Sequence, residues 1–231
     1  MPVPGQMPPG ETALWVRHRP ERIQAALLTL HDGPAVGHHP VRPWQMGALR
    51  MRPVMRVAAS AVPLQDTLLG QVCYRQQGWN DGAAEVDALR ALSELNRLTG
   101  DVPVMLLGHA MGGRAALRAA AHPQVVGVVA LAPWLPKGEP VSQLTGRSIL
   151  IMHGDSAPTT DTDPMDYVEQ ARTAGARAAV LVVRNGGRRM LRRAGVWQDM
   201  AALAVGHVLR PGHGESSPVI RGWSSGSPMV V

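Results

Sequence analysis

At 231 residues, 45% of them hydrophobic and 17% charged, the chain carries enough apolar material for one substantial core, which excludes disorder throughout and a disulfide-stapled mini-fold. Its single cysteine, Cys73, has no internal partner and points to a reducing, cytoplasmic setting; no secretory signal opens the sequence and no apolar run reaches a membrane span. The net charge of +6 first suggests nucleic acid, but Lys137 is the only lysine, Phe is absent, and the arginines are dispersed apart from Arg184, Arg188, Arg189, Arg192 and Arg193. That pattern reads as the codon bias of a GC-rich genome, so the expectation is a chain with no nucleic acid and no membrane among its partners.

Residues 1–12 and 211–231 are rich in Pro, Gly and Ser without apolar periodicity, and read as flexible tails around one domain over 13–210. In chain order the strand candidates are Ala13–Val16, Ala25–Leu30, Leu68–Cys73, Val102–Leu107, Val125–Ala130, Ile149–Met152 and Ala178–Val183. The last five are continuously apolar, as parallel strands covered on both faces must be. Helices fall between them at Pro43–Ala61 with a bend at Pro53, Val86–Leu98, Met111–Ala121, Pro164–Thr173 capped by Asp163, and Arg189–Leu209. Strands alternating with helices predict an α/β fold, a mostly parallel sheet of about seven strands with helices on both faces. Sites in such sheets lie in the loops at the carboxyl ends of the strands.

The most informative of those loops is Gly108-His109-Ala110-Met111-Gly112-Gly113. It demands a very sharp strand-turn-helix, with glycines where neighbouring backbones approach too closely for a Cβ. The string GHAMGG resembles the nucleophile elbow G-x-S-x-G of the α/β-hydrolases, with alanine in place of serine. Three further segments fit the same family. The TLHDG of residues 29–33 resembles the His-Gly turn after the family's third strand, which helps form the oxyanion hole. SILIMHGD (148–155) resembles the strand and turn before the catalytic acid, and RNGGRRML (184–191) the loop that carries the catalytic histidine. The resemblance spans roughly residues 13–209, and is to small, lidless serine esterases and dienelactone-hydrolase-like proteins of GC-rich bacteria. It implies an α/β-hydrolase fold with no large lid and a shallow pocket.

Serine hydrolysis needs a nucleophile, a general base and an orienting carboxylate. At the corresponding positions stand Ala110, Arg188 and Ala157. A methyl group cannot attack, and a guanidinium is permanently charged near neutral pH and cannot act as a base. Losing a whole triad typically costs on the order of a million-fold in turnover. Asp155 and Asp161 are the substitutes available for the acid, since Asp163 is spoken for as a cap. His31 and His109 are the substitutes for the base, although both positions ordinarily serve packing or turn hydrogen bonds.

The oxyanion region implied by the resemblance comprises His31, Asp32, Gly33 and the Met111 amide. Asp32 stands where relatives carry glycine. It either places a carboxylate where negative charge should develop, or points outward from a simple turn. Arg188 is either a solvated helix start or a fork of donors for an anionic group. Met46, Met51 and Met55 fill the core or line an apolar site. His153, His207 and His213 carry no pattern of their own. Asp155, Asp161, Asp163 and His153 lack the spacing of metal ligands, and no dinucleotide or Walker loop is present, so no metal and no cofactor are expected.

Three readings follow. The first is a pseudohydrolase that binds a small molecule or a protein partner. The second is a non-hydrolytic enzyme, a cyclase or lyase, using His31, Asp32 or Arg188 on a small metabolite. The third is a serine esterase inactivated at its elbow.

Overall fold

The computed structural model describes residues 12–41, 45–156, 161–210, 217–225 and 227–231. Strand β1 (Leu14–His18) and β2 (Ala25–Leu30) precede helix α1 (Met46–Ser60) and β3 (Thr67–Val72). Then come α2 (Ala83–Thr99), β4 (Val104–His109), α3 (Met111–Arg118), β5 (Val125–Leu131), β6 (Ser148–Gly154), α4 (Pro164–Thr173) and β7 (Arg177–Val183). Helices α5 (Ala194–Leu209) and α6 (Pro218–Ser225) and the short strand β8 (Met229–Val230) complete the order.

The eight strands form one sheet in the order β1-β3-β2-β4-β5-β6-β7-β8. Only β1 runs antiparallel to its neighbour; every other pair is parallel. Because side chains alternate across a strand, each central strand feeds two cores. Leu106 joins a core under α2, α3 and α4, while Met105 and Leu107 join one under α1 and α5. All six residues of β2, β3 and β4 are buried, including the polar Thr29, Thr67, Gln71 and His109.

Helix α4 starts as its sequence demands: the Met165 N–H donates to Asp163 Oδ1 at 2.8 Å, with Pro164 in the first turn. Helix α1 runs from Met46 to Ser60 with Pro53 inside it. Helix α5 begins at Ala194 rather than Arg189, because Arg193 takes a left-handed conformation (φ 55°). The largest correction concerns the C-terminal segment, expected to be a tail. Its residues 218–225 form α6 and 229–230 add an eighth strand beside β7. Val219 is fully buried and the Trp223 indole donates to the Ile149 carbonyl at 2.8 Å. Three or four apolar side chains spaced among Gly, Ser and Pro are enough to dock a segment, but too few to show a period.

Candidate functional site

The site grows from the junction of β4 and α3. Ala110 has φ 49° and ψ −112°, a combination that sterics forbid to most residues bearing a Cβ. It is held there on both sides: its N–H donates to the Leu131 carbonyl at 2.9 Å, and its carbonyl accepts from the Trp134 N–H at 3.2 Å. The flanking glycines are obligatory. A Cβ on Gly108 would land on the Gly112 carbonyl, and one on Gly112 would land on the Leu30 carbonyl and stand 2.5 Å from that of His31. Helix α3 therefore presses directly against the end of β2, which brings the turn His31-Asp32-Gly33 to its first amide.

There the Asp32 side chain turns inward. Its Oδ1 accepts from the Gly33 N–H at 2.8 Å and, at the long end of hydrogen-bond range, from the Met111 N–H at 3.4 Å. His31 donates from Nδ1 to the Asp32 carbonyl at 2.8 Å, and the Tyr74 hydroxyl donates to the His31 carbonyl at 3.3 Å. Gly47 of α1 closes this turn from above, since a Cβ there would stand 2.7 Å from the Asp32 carbonyl.

On the other side, His109 donates from Nε2 to the Arg188 carbonyl at 2.9 Å, which ties the elbow to the loop after β7. Its Nδ1 is buried without a hydrogen-bond partner among the described residues. Burial lowers the pKa of His109, and Arg50 and Arg188 lower it further against the opposing pull of the Arg188 carbonyl and Asp32. Burial likewise lowers that of His31. Both imidazoles are thereby held neutral.

This arrangement of strands and helices is shared with solved structures. A protein of unknown function from Agrobacterium tumefaciens, described as a candidate α/β-hydrolase, matches with a TM-score of 0.65 at 16% identity over 86% of this chain and 92% of that one. The esterase of Pyrobaculum calidifontis matches with a TM-score of 0.60 at 13% identity, over 84% and 79%. The chain has the α/β-hydrolase fold. A lidless serine hydrolase from Xanthomonas campestris shares this hydrolase fold with a TM-score of 0.53 at 19% identity, over 83% and 86%. No family model and no curated protein matches the sequence.

Within this hydrolase fold, the residues expected at the site distribute unevenly. Ala110, Met111, His109 and His31 converge and are all buried, with Ala110 fully so. Asp32 faces the Met111 amide instead of pointing outward from its turn. Arg188 joins the site through its carbonyl, with its side chain exposed. Ala157 and His213 lie outside the described residues. Asp155 is exposed and accepts from the Ser156 hydroxyl at 3.1 Å, Asp161 is exposed, and Asp163 caps α4.

Met51 is core and Met46 is exposed. His207 packs beside the Trp223 ring, 5.6 Å between centroids. Among the described residues, no three His, Cys, Asp or Glu side chains converge as metal ligands, and no helix is long and apolar enough to cross a membrane. Sequence reasoning missed Gly47, Arg50 and Tyr74, which meet the site only through tertiary packing and leave no local signature.

Proposed function

We propose that this protein is a pseudohydrolase, a member of the α/β-hydrolase fold that binds through its former active-site face and does not hydrolyse esters. The observation that carries this reading is the Asp32 carboxylate on the Met111 amide, directly beside Ala110. The amide that would stabilise a developing oxyanion instead faces a negative charge. A substrate carbonyl arriving there would meet repulsion where an active enzyme offers stabilisation of about 3–4 kcal/mol. The methyl of Ala110 and the guanidinium of Arg188 remove the nucleophile and the base as well. The buried elbow also speaks against a cyclase or lyase, which needs room for a metabolite beside its reacting groups.

The test is turnover of activated short-chain esters. The protein itself and its Ala110→Ser variant are expected to stay at background. In the background Ala110→Ser, Ala157→Asp, Arg188→His, adding Asp32→Gly is expected to raise any trace rate by about a hundredfold or more. Rapid hydrolysis by Ala110→Ser alone would falsify the reading, since it would require a working base elsewhere.

A further inference from the structure

At the opposite end of the sheet from the elbow, where β4 and β5 begin, the surface holds a cavity of about 660 Å³. The length of β4, roughly 17 Å, separates the two places. Sites for small molecules commonly measure about 300–1,000 Å³. One wall is the end of α2, where Ser93, Asn96 and Arg97 stand three and four positions apart and so share one face. Gly100, at φ 72°, ends that helix and turns the chain into Asp101. The other wall is the link from α3 to β5, which brings His122 and Gln124.

Gln124 is the buried member of this lining, 3% exposed, and its amide nitrogen is committed to the Gly100 and Val102 carbonyls at 2.9 and 3.2 Å. Its Oε1 and the Nδ1 of His122 have no hydrogen-bond partner among the described residues. An unpaired buried acceptor is costly, and native structures rarely leave one without a donor. Arg97 and Asp101 are both exposed and line the same cavity four residues apart. Neither forms an ion pair with the other or with any other described residue. Burial lowers the pKa of His122 against the pull of Asp101, so its imidazole is neutral near pH 7. The lining thus offers one full charge of each sign, held apart, and an acceptor in want of a donor.

We propose that this cavity is a binding site for a free amino acid or a similarly small zwitterion, whose carboxylate meets Arg97 and whose ammonium meets Asp101 and the Gln124 oxygen. The site is separate from the elbow and does not rest on the pseudohydrolase reading. A bare anion such as phosphate would gain Arg97 and be opposed by Asp101. A metal ion would gain Asp101 and be opposed by Arg97, and among the described residues no three metal-ligating side chains converge. A zwitterion answers both charges at once, and its N–H groups supply the donor that Gln124 lacks.

Isothermal titration calorimetry of the full chain tests the proposal, with glycine, L-alanine, L-serine and L-glutamine as probes in an amine-free buffer. The N-acetyl and amide forms of the same four remove the ammonium or the carboxylate in turn, and sodium phosphate supplies a bare anion. At least one amino acid is expected to bind, about tenfold or more tighter than either of its blocked forms. Arg97→Gln and Asp101→Asn, both at exposed positions, are each expected to weaken it about tenfold or more with unchanged circular dichroism. Binding that is absent for all four, unaltered in either variant, or no tighter than that of phosphate overturns the proposal.

Discussion

Ala110 is held in a backbone conformation that sterics deny to most residues bearing a Cβ. Such strained positions cost about 1–3 kcal/mol, against roughly 0.5–1 kcal/mol for the extra freedom glycine brings to the unfolded chain. Ala110→Gly is therefore expected to raise the unfolding free energy by about 1 kcal/mol, measured by urea denaturation. A loss of stability instead would mean that the turn holds no strain. The elbow was legible in sequence because its glycines fall within six residues, and Gly108 and Gly112 are each forced by a backbone contact. The inward turn of Asp32 was not legible, since it depends on where α3 abuts β2, and the sequence left both orientations open.

At the scale of elements, α3 is fastened by charge as well as by apolar contact. Arg114 lies over the rings of Trp79 and Trp134, at 3.8 and 4.7 Å from their centroids, and its Nε donates to Glu139 at 2.7 Å. Arg118 reaches the same buried carboxylate at 3.0 Å. Removing Glu139 leaves the buried Arg114 without its partner, while Arg118 keeps Glu85 at 3.3 Å, so Glu139→Ala is expected to lose about 3 kcal/mol in chemical denaturation. Replacing Arg114 and Glu139 together by Leu and Met is expected to recover most of that loss. A small loss for Glu139→Ala would show that water satisfies the arginines.

Nothing local betrays this cluster, because its partners come together only when the loop after β5 folds over α3. The strands were the opposite case. Their short, mostly apolar runs mark buried strands, so β2 was located to the residue, whereas α6 and β8 dock through a few scattered side chains.

For the molecule as a whole, the buried imidazoles set the response to acid. Burial lowers the pKa of both His31 and His109 below the ordinary value near 6.5, so the unfolded chain binds protons more readily than the folded one as pH falls below that value. Their contribution is complete above about pH 6.5 and is lost progressively below it as the imidazoles are forced to charge. Thermal melts are expected to show a Tm that declines from neutral pH toward pH 5, with a shallower decline in His109→Gln, which retains a donor for the Arg188 carbonyl. An identical slope in the variant would remove His109 from this account.

The docked strand β8 carries a consequence for the chain while it is being made. In the folded protein the Val231 N–H donates to the Val182 carbonyl at 3.0 Å, and the Arg184 N–H donates to the Val231 carbonyl at 2.8 Å. Synthesis delivers β7 first, so for an interval the outer backbone groups of β7 are open to any other strand, as the edge of an unfinished sheet is. Deleting residues 227–231 would make that interval permanent. The shortened protein is expected to elute as larger species on size-exclusion chromatography than the full chain at equal concentration, and an unchanged profile would show that β7 is protected without its last neighbour.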